Sequence, residues 1–232
     1  MLSILQNFSD LKDLHKCAND LLHSPQIKQS LIQHQHEISS VGHIADASLE
    51  MLDQCGATRD ILLMVKDHLH DLQHTVRRAK SDGPDFEAQI SAHGLFRKKL
   101  KKELAKCLRS IKSSKNNIFT LDLSLIDQSL IIIVHVLREI RSTTILALES
   151  LLSLLSMPTT ISIVHNQMSI RSKFRRNNCR KFLERCDSME VRMKNKRLEE
   201  VEKAIWKVEI EIHGIVRRLI HTRVLLLNIL NC

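Results

Sequence analysis

Apolar residues return every three or four positions along most of the chain, with few interruptions. Leu11, Leu14, Ala18, Leu21 and Leu22 form the first stripe, which Pro25 ends, and a short piece, QIKQSLIQH, follows. Val41, Ala45, Ser48, Leu49 and Leu52 mark a helix that the pattern closes near Gly56. Leu62, Val65, Leu69, Leu72 and Val76 mark another, starting from Thr58. SDGP at 81–84 is the clearest breaker. Beyond it, Phe86, Ile90, Leu100, Leu104 and Ile111 lie along a strongly basic helix that should turn near Asn116 and Asn117, with Asp122 as the next N-cap. The following stripe is Ile126, Leu130, Val134, Leu137, Thr144, Leu148, Leu151 and Leu155. It predicts a helix from about Leu123 to Met157, stopped by Pro158. The last helix is expected from about Ser188. Its seam is Leu198, Val201, Ile205, Val208, Ile212, Ile215, Leu219, Thr222, Leu226 and Ile229, a heptad pattern in which only Thr222 is polar. The segment 159–187 mixes short apolar pieces with RSKFRRNNCRKF and is expected to be a weak helix plus a mobile basic connector.

These elements predict an all-α fold: one domain over 1–232, an antiparallel bundle of long helices packed in coiled-coil fashion. Composition agrees. Among 232 residues there are only 5 Gly and 3 Pro, and no Tyr, too few turn and β-forming residues for a sheet protein.

The end of the chain, RRLIHTRVLLLNILNC, raises the question of a membrane anchor. A span needs roughly 20 apolar residues. Val224 to Cys232 is nine residues, including Asn228 and Asn231, and covers about 14 Å at the helical rise. Arg217, Arg218, His221 and Arg223 precede it and would be costly in lipid. In the other apolar stretch, Arg138, Glu139, Arg141 and Glu149 interrupt any charge-free window. The tail is therefore expected to dock into a bundle core or a partner, with the three arginines making polar contacts at its mouth.

Several segments, in order, resemble the plant BYPASS-type family: LKDLHKCANDLLHSPQIKQSL, SLEMLDQCGATRDILLMVKDHLHDLQHTVRR, FRKKLKKELAKCLRSIK, LESLLSLLSMP and GIVRRLIHTRVLLLNILN. The last block carries the positions taken as the family's C-terminal motif, Arg217, Arg218, Leu219, Thr222, Arg223, Leu227 and Asn228. The resemblance implies a plant-specific helical protein. It also implies a link to root and shoot development through control of a mobile root-derived signal. It brings no catalytic residues. Family members usually carry a Ser/Arg/Pro-rich segment before the first helix, absent from this sequence, and the stretch 171–197 is more basic than the resemblance leads one to expect.

Charge singles out two surfaces. The formal net charge is +9, from 35 basic and 26 acidic residues. From Arg97 to Lys115 there are nine Lys/Arg against one Glu, including Arg97, Lys98, Lys99, Lys101, Lys102 and Lys106. From Arg171 to Arg197 there are eleven against three acids, including Arg171, Lys173, Arg175, Arg176, Arg180 and Lys181. Such clusters suit an acidic partner or anionic lipid headgroups, while the competing reading of the first is the solvated face of a bundle helix. A protein partner, a second copy of this chain or an anionic membrane surface are the partner classes that fit. Nucleic-acid readout is disfavoured, because aromatics are 3% and no DNA-binding motif occurs.

Nothing points to a reaction. There is no G-x-x-x-x-G-K-[ST], G-x-G-x-x-G or G-x-S-x-G. His70 and His74, one turn apart, could share a metal, but a structural site needs four ligands and no evident complement exists; His34, His36 and Glu37 could contribute only if the fold brought them close. The six cysteines form no C-x-x-C and read as reduced thiols, mostly small core residues. The expectation is a non-enzymatic intracellular regulator or scaffold without cofactor or metal, with cytoplasmic, membrane-surface and nuclear locations all compatible. A peripheral membrane binder is the alternative.

Overall fold

A computed structural model describes residues 2–33, 39–78, 85–116, 128–156 and 180–231. These form a helical bundle of six helices: α1 (Leu2–His23), α2 (Pro25–Gln33), α3 (Ser39–Arg78), α4 (Asp85–Asn116), α5 (Gln128–Ser156) and α6 (Arg180–Leu230), with no strand among them. The break between α1 and α2 follows from Ser24-Pro25. Proline's fixed φ suits a first helical position, and the Ser24 carbonyl accepts the Lys28 amide at 3.1 Å, opening α2.

Two boundaries differ from the pattern. Gly56 does not close a helix: α3 runs straight through it, and no glycine among the described residues has positive φ. Without a left-handed residue there is no C-cap, and burial of Met51, Cys55, Thr58 and Leu62 carries the helix on. The register there also differs by about one position, with Ala47 and Ser48 buried and Leu49 about half exposed. The last helix starts at Arg180, not near Ser188. Residues 180–188 contain neither Gly nor Pro, and Phe182, Cys186, Met189 and Met193 continue the three-and-four spacing, so nothing in the sequence stops a helix there. The expected turns at Gly83, Asn117 and Pro158, the Asp122 cap and residues 159–179 of the connector expected over 159–187 lie outside the described residues, while 180–187 of that connector belong to the helix α6.

The chain divides into two compact units. The first comprises Met1–Arg59, Lys106–Leu152 and Ile210–Cys232; the second comprises Asp60–Ala105 and Ser153–Glu209.

In the first unit, Leu22 of α1, Ile27 and Leu31 of α2, Leu130, Ile133 and Val134 of α5, and Leu226 and Ile229 of α6 form one buried cluster. Burying each such side chain stabilises by about 1.5–3 kcal/mol. The C-terminal tail is thus part of this core, with Leu225 and Leu230 packed partly buried against it. The helices α3 and α4 run antiparallel here: Thr58 meets Cys107 while Glu50 meets Ser114, so one number falls as the other rises.

In the second unit, Lys66 and Gln73 of α3 bond to Glu209 and Glu202 of α6, at 3.1 and 2.8 Å, again an antiparallel pairing. His68 stacks on Phe96 with ring centroids 3.7 Å apart, and its Nε2 lies 2.7 Å from Nδ1 of His93. Burial, with the neighbouring His93, lowers the His68 pKa to about 4.

All ten seam positions of α6 are buried or partly buried, as the heptad pattern requires. No helix among the described residues is long and apolar enough to cross a membrane.

Candidate functional site: a polar seam and an arginine-lined cavity in the first unit

Polar side chains enter the first unit from four helices. Arg141, on α5, is almost wholly buried. Its NH2 donates to Oε2 of Glu50 on α3 at 3.0 Å and to the Ser114 carbonyl on α4 at 2.8 Å. The Ser114 hydroxyl donates to Oε1 of Glu50 at 2.5 Å and accepts from the side-chain amide of Gln54. Thr58, one turn further along α3, donates to the Gln54 carbonyl at 2.8 Å and sits 3.8 Å from the Cys107 thiol. The guanidinium therefore neutralises the carboxylate that holds the serine proton. With that proton directed at a neutralised carboxylate and Ser114 nearly inaccessible, the arrangement is a strut joining α3, α4 and α5 rather than an activated nucleophile.

Cys55 and Cys107 are buried free thiols. Burial and the adjacent Cys107 push the Cys55 thiol up to about 12, and burial also raises that of Cys107. Neither is a thiolate near neutral pH.

A second group of polar residues surrounds a small cavity. His15 on α1 is 3% exposed. Its Nδ1 lies 3.3 Å from the hydroxyl of Thr222, and that hydroxyl lies 2.9 Å from the Arg218 carbonyl. A hydroxyl has one hydrogen. With it directed at the carbonyl, Thr222 accepts from His15, so His15 carries its proton on Nδ1 and its Nε2 is an acceptor. That Nε2 is buried with no partner among the described residues, as are Nε and NH2 of Arg218. Leaving such groups unsatisfied costs about 1–3 kcal/mol each. Burial, with the nearby Arg218 charge, lowers the His15 pKa to about 4, so the ring is neutral at pH 7.

The cavity beside it measures about 30 Å³. A water needs only about 10–15 Å³. Its polar lining is His15, Ser48, Arg138, Arg141, Thr222 and Arg223, on apolar walls that include Met51 and Leu219. Arg223 NH1 donates to the Ser48 hydroxyl at 3.0 Å.

Three of the sequence-selected motif positions, Leu219, Thr222 and Arg223, line this cavity. Arg218 meets this group through its carbonyl, which accepts from the Thr222 hydroxyl, and is not among the described lining residues of the cavity. Arg217 and Asn228 are exposed and Leu227 is partly buried. The basic clusters lie elsewhere. Lys98, Lys99, Lys101, Lys102 and Lys106 are exposed and Arg97 is partly so, while the apolar stripe beneath them, Leu100, Leu104 and Ile111, is fully committed to the interior. Arg171, Lys173, Arg175 and Arg176 lie outside the described residues. Arg180 and Lys181 open α6, and their side chains are also outside the description. His70 and His74 meet edge-on across one exposed turn, and no group of three or more metal-ligating side chains occurs among the described residues.

Sequence reasoning missed His15, Glu50, Gln54 and Ser114, and met Arg138 and Arg141 only as interruptions of an apolar run. The available sign was a polar residue at a core register: Ser48 and Thr144 sat in the stripes, and His15 falls one turn after Leu11.

Comparison with known proteins adds one family. A family model described as Protein BPS1 matches residues 7–229, nearly the whole chain. No curated protein matches, and no solved structure does.

Proposed function

The chain belongs to the Protein BPS1 family, and from that membership we propose that it is a non-enzymatic regulatory or scaffold protein of plant development, acting through its helical surfaces. The developmental assignment is the one that the BYPASS-type resemblance implies. The observation that carries the scaffold reading is the outer face of α6 in the first unit. Ile210, Ile220 and Val224 are each 47% exposed. At 3.6 residues per turn they fall within roughly 80° of arc, opposite the buried seam. Arg217 lies among them. Apolar positions on one face of a helix already packed along its other side favour a helical partner.

The test is affinity capture from plant root extract with the intact chain and with Ile220→Asp and Val224→Asp. Both positions are exposed, so both variants should keep the helical circular-dichroism spectrum. A partner recovered by the parent and lost by both variants supports the reading; a partner retained by both refutes it. Leu219→Asp and Leu226→Asp are unsuitable, because both residues are buried.

The alternative, peripheral attachment to anionic lipid, is favoured by the exposed Lys98, Lys99, Lys101 and Lys102. Each is worth about 1 kcal/mol near an acidic surface. With Leu100 and Leu104 buried in the protein, attachment would be electrostatic only. It should vanish in moderate salt and on charge reversal of the four lysines. Absence of sedimentation with vesicles containing anionic lipid removes this alternative.

A further inference from the structure

We propose that His70 and His74 chelate one zinc ion on the exposed side of α3 in the second unit, each through Nε2, with water filling the remaining positions. Three observations meet there. First, the two residues stand one turn apart on one helix, and their Nε2 atoms lie 3.3 Å from each other. Zinc binds imidazole nitrogen at about 2.0–2.1 Å. Nitrogens 3.3 Å apart at that radius subtend about 105–110° at the metal, the tetrahedral angle that zinc adopts. A square-planar or octahedral centre needs nearly 90°, and hence a separation of about 2.9 Å. Second, both rings are exposed and meet edge-on, with centroids 4.6 Å apart. A cation therefore reaches them from solvent without opening the protein. The helix already holds the rings together, so binding forfeits little side-chain freedom. Third, Asp67 and Asp71, each three residues before one of the histidines, are exposed too. Residues three apart on a helix are neighbours, and two carboxylates beside the pair attract a cation.

This is not a closed structural centre. Such a centre takes four protein ligands, and no group of three or more metal-ligating side chains occurs among the described residues. A chelate needs only two. The aspartates contribute charge rather than coordination, and the metal clips one turn of α3 instead of joining helices. In the metal-free pair one Nε2 donates to the other. In the chelate both rings carry the proton on Nδ1, and both Nε2 atoms give their lone pairs to zinc. Two ligands in place of four should give a dissociation constant on the order of 10 μM, and the fold should not depend on the metal. Magnesium and calcium take oxygen ligands and should not bind to this pair.

The experiment is calorimetric titration of the full chain with zinc chloride at neutral pH under a non-thiol reductant. It is paired with modification of histidines by diethyl pyrocarbonate, read residue by residue by mass spectrometry. The chain has 6 cysteines and 13 histidines, so the second readout assigns the metal to its ligands. At free zinc ten times the dissociation constant, modification of both His70 and His74 should slow by about tenfold. Magnesium should leave both rates unchanged. His70→Gln and His74→Gln, at exposed positions, should each keep the helical circular-dichroism spectrum. Each should weaken the zinc event by about tenfold or more and leave the remaining histidine of the pair unprotected. Zinc that leaves either histidine as reactive as before, or a titration identical in the parent and both variants, overturns the proposal.

Discussion

Gly56 offers the sharpest test of the fold, because two accounts of it predict opposite signs. If the residue closed a helix it would occupy the left-handed region at a C-cap, where alanine is strained and Gly56→Ala would destabilise. In the structure it lies inside α3, with no positive φ, and a Cβ built on it meets nothing within 4 Å. Alanine then adds helix propensity without a clash, worth about 0.8–1.0 kcal/mol. For a chain of this size that raises the melting temperature by about 2–4 °C. The assay is thermal unfolding followed at 222 nm, with urea unfolding to confirm a raised midpoint at constant slope. Gly214→Ala is the internal control. There a Cβ would lie 3.1 Å from NH2 of Arg218, so the guanidinium must shift and part of the gain is lost. A lowered melting temperature for Gly56→Ala would refute the continuous α3. A Gly214→Ala gain as large as that of Gly56→Ala would refute the packing of Arg218.

Arg141→Ala removes the pair with Glu50 and the bond to the Ser114 carbonyl. It should destabilise by about 2 kcal/mol, moderated because the Glu50 side chain is 40% exposed. A shift under about 0.5 kcal/mol in urea unfolding would show that the strut does not contribute. For His15 the folded pKa is about 4 against an ordinary 6.5. Between those values the unfolded state binds a proton that the folded ring resists. Stability is therefore full above pH 6.5 and falls as pH drops toward 4, by up to about 3 kcal/mol. His68 acts in the same direction in the second unit. Melting curves across pH 4–7 should slope less for His15→Gln than for the parent, and an unchanged slope counts against the buried neutral ring. With a colorimetric disulfide reagent at pH 8, exposed Cys17 should react at once, while Cys55 and Cys107 should wait for denaturant. Rapid modification of Cys55 in the folded protein would contradict its burial.

The linear pattern of apolar side chains was sufficient for the helices and for most of their inward faces. A helix repeats every 3.6 residues, so residues that must be buried announce themselves by spacing. The seam from Leu198 to Ile229 is buried or partly buried throughout, and Leu226 and Ile229 join the core cluster. Spacing also separated the exposed lysines of α4 from Leu100 and Leu104 beneath them. Spacing could not decide Gly56. A glycine is compatible with a helix interior or its end, and tertiary burial of the residues on both sides selects the interior.

The polar seam and the cavity were settled by tertiary structure alone. His15 and Thr222 are 207 positions apart, Ser48 and Arg223 are 175 apart, and Glu50 and Arg141 are 91 apart. His15, Glu50 and Arg141 look like ordinary surface residues in the linear text, whereas Ser48 and Thr222 sit in apolar stripes and Arg223 in the C-terminal motif, and none of them names its partner. Whether a histidine or arginine is solvated or buried against a partner depends on which helix packs over it, and local periodicity carries no information about that pairing. Local propensity and apolar spacing made this protein helical. The packing of α1, α3, α5 and α6 in the first unit placed three arginines and a neutral histidine around one small cavity, because only packing brings distant polar groups out of water together.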